Sequence, residues 1–147
     1  MQYQILTSLA NPPVRATEGS AGLDLTAAIP TPSAIPSGAR ALIPTGLAVA
    51  LEPGTVGLVF ARSGLATKHG IALSNGVGVI DSDYRGEVRV GLVNLSEEAY
   101  VIEPGERIAQ LVVVPICMPN PVEVSELPEA GRGEGGFGST GRMGNGR

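Results

Sequence analysis

Apolar residues come in short runs, not in long stretches. Gln4–Leu9, Leu23–Ala27, Ala39–Ile43, Leu47–Leu51, Val56–Ala61, Gly76–Ile80, Glu87–Asn94, Ala99–Ile102 and Arg107–Ile116 are each rich in β-branched or aliphatic residues. Turn signals separate them: Pro36-Ser37-Gly38, Glu52-Pro53-Gly54, Asn75-Gly76 and Glu103-Pro104-Gly105. Val88-Arg89-Val90-Gly91-Leu92 alternates apolar with polar or small residues, as a half-buried strand does. No window of helical length keeps a 3.6-residue period clear of Gly and Pro, and a single helical turn is predicted over Leu65–His69. Many short strands at this spacing predict an all-β, single-domain fold, a jelly-roll-like barrel or sandwich, over residues 1–130. Residues 131–147 hold eight of the 21 glycines, too few apolar groups for a core, and are predicted to form a flexible arm.

Composition narrows the chemistry. With 147 residues, 43% hydrophobic and 16% charged, the chain is long and apolar enough to bury a core. No apolar run reaches the roughly 20 residues of a membrane-spanning helix, and the N-terminus lacks the pattern of a secretory signal. A net charge of −4 argues against a nucleic-acid coat. One cysteine (Cys117, placed in the core by its apolar neighbours) and one histidine (His69, read as a solvated turn residue) cannot build a structural zinc site or a zinc deaminase centre. A reducing cytoplasm is the simplest compartment. The single lysine, Lys68, lies in no Walker loop, so phosphate work would fall to arginine and backbone N–H groups.

Five segments carry candidate chemistry. Arg62-Ser63-Gly64 follows an apolar strand and precedes the helical turn, which suits an anion nest or, equally, a capping serine beside a surface arginine. Gly78 to Glu87 places Asp81, Asp83 and Tyr84 in one turn after Asn75-Gly76. Turns favour Asp for backbone reasons, but a ring beside a carboxylate can pack on a sugar while the carboxylate orients a water. Arg132 to Gly141 combines glycines with Phe137 and two hydroxyls, as a ligand-gripping loop or a linker would. Ala21-Gly22-Leu23-Asp24-Leu25 and Gly105-Glu106-Arg107-Ile108-Ala109-Gln110 read as strands, each with a polar residue at an edge or in the core. A Ser63–His69–Asp triad lacks a nucleophile elbow.

Taken together and in order, the five segments closely resemble the motifs of the trimeric dUTP pyrophosphatase family, from about residue 20 to residue 141. The resemblance implies a β jelly roll, a homotrimer with active sites between subunits, Mg²⁺, and a C-terminal arm that closes over a neighbour's substrate. The implied reaction is hydrolysis of dUTP to dUMP and pyrophosphate, which keeps uracil out of DNA and supplies dUMP for thymidylate synthesis. The family's catalytic aspartate falls on Asp81, which would activate the water that attacks the α-phosphorus. Tyr84 falls on the ring that excludes a 2′-hydroxyl. Asn75, Val79 and Ile80 fall on the hairpin that pairs with uracil, and Arg89 on a backbone contact to the base. Arg62, Ser63, Gly64 and Gln110 match phosphate contacts. Phe137 would stack on uracil beside Gly138, Arg132 and Ser139 would grip the γ-phosphate, and Asp24 would reach the magnesium through water. Leu23 and Ala61 depart from the pattern, where many relatives have an aromatic and a proline. Two rival readings share the fold: a dCTP deaminase, including its bifunctional form, for which Glu87 is the nearest extra acid, and a non-catalytic nucleotide-binding or signalling module.

Overall fold

A computed structural model describes residues 1–136. Its strands are β1 (Gln2–Ile5), β2 (Leu23–Thr26), β3 (Ser33–Ile35), β4 (Arg40–Ala50), β5 (Thr55–Ala61), β6 (Ile71–Leu73), β7 (Gly78–Ile80), β8 (Glu87–Asn94), β9 (Tyr100–Ile102) and β10 (Arg107–Pro115), with one helix, α1 (Ser63–His69), between β5 and β6. They form two four-stranded sheets, ordered β1-β4-β8-β6 and β2-β10-β5-β7, and a β3-β9 ribbon. All the pairings are antiparallel. Neither four-stranded sheet closes on itself, so of the two expected forms the sandwich is the one adopted. Among the described residues, no helix is long and apolar enough to cross a membrane.

The alternation in β8 does what its pattern requires. Val88, Val90, Leu92 and Asn94 are buried, while Arg89 is exposed. These valines and leucines meet Ile43, Leu47 and Val49 of β4 and Leu25, Val59, Ile108 and Leu111 of the opposite sheet in one core cluster. Asn94 is fully buried at the end of this row, and its amide is satisfied. It donates to the carbonyls of Ile35 (2.8 Å) and Glu98 (2.7 Å) and accepts from the Ser96 N–H (2.9 Å), tying the ribbon to the sheet.

The strands depart from expectation where local pattern is weakest. The runs Ala39–Ile43 and Leu47–Leu51 are one strand, β4, because Pro44-Thr45-Gly46 is absorbed as a bulge. Pro44 pairs with Arg89 and Ala48 with Glu87, so four steps on β4 oppose two on β8. Thr45 is buried there and donates to the Val88 carbonyl at 2.6 Å. β3 and β6 are three residues long, too short to show a period. Cys117 is exposed and not in the core, because β10 ends at Pro115 and the chain leaves the sheet before reaching it.

Away from the candidate site, Tyr100 donates to Glu106 Oε1 at 2.6 Å and stacks near His69, ring centroids 5.0 Å apart. Burial, then the Glu106 carboxylate, push the Tyr100 phenol up to about 12. A folded-state value raised above the unfolded one stabilises fully below about pH 10, the unfolded value, and that contribution is lost as the pH rises to about 12. Thermal melts between pH 9 and 12 should therefore show a fall in midpoint that Tyr100→Phe removes, at a cost near neutrality of about 1 kcal/mol.

Candidate active site

A cavity of about 610 Å³ opens where the two sheets part. Its lining includes Leu42 and Leu73 from one sheet, Val59, Val79 and Ile80 from the other, and Asn75, Asp81, Tyr84, Glu87 and Arg89. The Asn75-Gly76 turn explains the opening. β6 pairs with β8 and β7 with β5, so the turn crosses from one sheet to the other and does not close a two-stranded hairpin. Gly76 makes this crossing with φ 75°, a conformation that glycine tolerates. β7 is the edge strand of its sheet, so the backbone side turned away from β5 is open to a ligand.

Asp81 and Tyr84 share the turn that follows β7, closed by the Tyr84 N–H donating to the Asp81 carbonyl at 3.2 Å. Both residues are exposed. The Tyr84 hydroxyl donates to the Glu87 carbonyl at 3.1 Å, which folds the ring back over Gly86. A Cβ on Gly86 would stand 2.6 Å from the Tyr84 Cζ, so glycine is what lets the ring lie flat on the backbone. Arg85 braces the turn by donating to the Ser82 (2.7 Å) and Tyr84 (2.8 Å) carbonyls.

Glu87 has a role that sequence reasoning missed. Its Oε1 accepts from the Gly46 N–H at 2.9 Å and its Oε2 from Arg89 Nε at 3.0 Å. One carboxylate thus joins the β4 bulge to the cationic side chain at the cavity wall. The alternation of β8 signals that Glu87 and Arg89 share a face, but the bulge partner lies 41 residues away and leaves no local trace.

The remaining candidates gather elsewhere. Asp24 on β2 lies between two guanidinium groups, with Arg62 Nε at 3.2 Å and Arg107 Nη1 at 3.0 Å. Gln110 pairs with Asp24 across the strands and donates to the Ala61 carbonyl at 3.2 Å. Ser63 opens α1 and is exposed, but it is not a capping serine: Arg62 holds the N-cap position without a side-chain cap bond. Gly64 faces open space. Ser63 and His69 stand at opposite ends of α1, about 9 Å apart along its axis, so no triad forms.

The two groups lie at opposite ends of β5. Ile80, next to Asp81, pairs with Gly57, while Ala61, next to Arg62, pairs with Ala109. At about 3.3 Å per residue, the positions of Asp81 and Arg62 are roughly 20 Å apart along the strand. Arg132 belongs to neither group: it donates to the Gly135 carbonyl at 2.8 Å, within a stretch from Ile116 to Gly136 that is exposed throughout. Phe137, Gly138 and Ser139 lie outside the described residues. Among the described residues, no three His, Cys, Asp or Glu side chains converge as a metal cage.

Comparison with known proteins agrees with this arrangement. The family model described as dUTPase matches residues 10–141. The chain is 52% identical over 131 residues to the deoxyuridine 5′-triphosphate nucleotidohydrolase of Burkholderia cenocepacia strain HI2424, covering 88% of each. It is 46% identical over 148 residues to that of Alcanivorax borkumensis, covering 97% of this chain and 99% of the other. Its fold is similar to that of the Staphylococcus bacteriophage 80alpha dUTPase solved with dUpNHpp, with a TM-score of 0.89, 31% identity, and coverage of 96% of this chain and 98% of that one. A variant of the dUTPase from phage phi11 of S. aureus, whose structure concerns the coordination of a structural Mg(II) ion, matches with a TM-score of 0.80 at 27% identity, covering 87% of this chain and 98% of the other. With the family model spanning nearly the whole chain and the motif residues in place around an open cavity, this chain belongs to the dUTPase family.

Proposed function

We propose that this chain hydrolyses dUTP to dUMP and pyrophosphate, and that the observation carrying this reading is the placement of Asp81 and Tyr84 on one turn at the mouth of a cavity edged by open β7 backbone. The unpaired edge of β7 around Val79 and Ile80, with Asn75 beside it, suits a pyrimidine read by backbone groups in the manner of an added strand. The fit is narrow, and a 5-methyl group has to be accommodated against the same wall. Tyr84, held flat on Gly86, packs against the deoxyribose and leaves no room for a 2′-hydroxyl. Asp81 takes a proton from the water that attacks the α-phosphorus in line, and pyrophosphate leaves.

Phosphate charge is met by Arg62, Ser63, Gly64 and Gln110, and by Arg132, Phe137, Gly138 and Ser139 of the arm. A separation of roughly 20 Å along β5 is too great for Asp81 and Arg62 of one chain to act on the same phosphorus. A homotrimer in which each site combines the cavity of one subunit with the arginine cluster of another resolves this. Ile116, Met118, Val122, Val124 and Leu127, exposed beyond β10, are apolar surface for such contacts to cover. Without a dense carboxylate cage among the described residues, the donor set fits a Mg²⁺ that arrives on the triphosphate and keeps its waters, with Asp24 reaching it through one of them. Bound there, the ion neutralises phosphate charge. The cytoplasm is the proposed compartment.

A deaminase reading would need a proton-transferring acid near the pyrimidine. Glu87, the nearest candidate, has both oxygens engaged by Gly46 and Arg89. Pyrophosphate release measured with dUTP, dCTP, dTTP and UTP in Mg²⁺ tests the proposal. Release from dUTP, with the other three at least about a hundredfold slower, is expected. Equal release from all four would overturn the selectivity argument, ammonia from dCTP would make the chain a deaminase, and no release at all would leave a binding module.

A further inference from the structure

We propose that Arg107 is a further phosphate-binding residue of this reaction, and that Asp24 is a positioning residue holding Arg62 and Arg107 side by side for the polyphosphate. The inference rests on the dUTP-hydrolysing reading above.

A bulge in β10 carries the argument. Strict alternation would put Arg107 on the same face as Ala109 and Leu111, both 0% exposed, and would bury its charge in the core. Instead the register with β2 shifts between Arg107 and Ala109, and the extra residue, Ile108, turns inward at 1% exposed. Arg107 is thereby re-aimed onto the face of Asp24 and Gln110, which pair directly. Glu106 fixes the approach to the bulge by accepting from Tyr100 at 2.6 Å and from the Glu103 N–H at 2.9 Å.

The charges do not balance as they would in a simple structural ion pair. Asp24, with its side chain 11% exposed, receives Arg62 on Oδ1 and Arg107 on Oδ2. Arg62 also donates to the Arg107 carbonyl at 3.3 Å. One carboxylate therefore holds two guanidinium groups together against their repulsion, and the cluster keeps one uncompensated positive charge. Arg107 spends a single N–H of its five on Asp24 among the described residues, and its side chain is half exposed. Ser63, exposed at the start of α1, follows Arg62 directly, and Gln110 adjoins the same carboxylate. An exposed, prepaid pair of planar donors next to the phosphate-matching segments suits a polyphosphate and offers little to a neutral nucleoside.

Calorimetric titration with dUpNHpp and with deoxyuridine, each with Mg²⁺ and in EDTA, tests both roles in the full chain. Arg107→Gln should weaken dUpNHpp about tenfold in both conditions and leave deoxyuridine unchanged, while Arg107→Lys, keeping a point charge, should recover part of the loss. Asp24→Asn should weaken dUpNHpp even in EDTA, because the arginines lose their common anchor. Unchanged affinity for dUpNHpp in Arg107→Gln, or an equal loss for deoxyuridine, would overturn the role of Arg107. A loss in Asp24→Asn confined to the Mg²⁺ titrations would limit Asp24 to the metal's water and overturn its positioning role. The unsubstituted chain, assayed on dUTP in parallel, keeps this outcome separate: its inertness would overturn the proposed reaction itself.

Discussion

Asp81→Asn is expected to lower kcat for dUTP by about a thousandfold while leaving KM within a few fold. The side chain stands exposed on the cavity lining, and among the described residues it forms no ion pair. Asn has the same shape and keeps a hydrogen-bonding oxygen, but it cannot take a proton from water. The turn itself survives, since it is closed by the Asp81 carbonyl and the Tyr84 N–H and not by the carboxylate. Binding groups on β7 and in the arginine cluster are untouched. Steady-state kinetics with pyrophosphate detection give kcat and KM together, and calorimetry with dUpNHpp gives the affinity directly. A variant retaining more than about a tenth of the activity would show that another group takes the proton.

A second large effect is expected far from the chemistry. Gly46→Val should destabilise the fold by about 3 kcal/mol, the sum of left-handed backbone strain and overpacking. Gly46 has φ 65°, which a β-branched residue adopts only under strain. Its added Cβ would lie 2.5 Å from Thr7 Cγ2 and 2.7 Å from Ala10 Cβ, and the latter carbon has no rotamer through which to escape. The same glycine donates to Glu87 Oε1 and accepts from the Leu6 N–H at 2.8 Å, so displacing it loosens both β1 and the cavity wall. Urea unfolding should show the midpoint fall with the slope unchanged. A loss below about 1 kcal/mol would mean that the bulge can relax, and the packing argument would fail.

The Gly46 bulge also shows how structural and catalytic demands meet. Gly46 binds Glu87 through its side chain, Glu87 holds Arg89 through its other oxygen, and its carbonyl accepts from Tyr84. A position with no chemistry of its own thereby fixes two residues of the cavity. The Arg107 bulge works by the same device on the other sheet, re-aiming one side chain by adding one residue to a strand.

What the sequence determined by itself is what short-range pattern encodes. Alternation in β8 places Val88, Val90 and Leu92 inside, and the β2, β5 and β10 runs were legible from their apolar content and flanking turns. The family was legible because its chemistry sits in turns, where Asp81, Tyr84, Ser63 and the glycines around them are set by local backbone requirements. Only the tertiary structure decided the rest. Pro44-Thr45-Gly46 reads as a break, and it is a bulge because β8 supplies Thr45 and Gly46 with partners more than forty residues distant. Asn75-Gly76 reads as a hairpin, and it is a crossing because β6 and β7 each find a better neighbour in a different sheet. The shared anchoring of Arg62 and Arg107 on Asp24, and their distance from Asp81 along β5, follow from strand register. Register is a relation between segments far apart in the chain, and a local pattern of apolar and polar residues does not carry it.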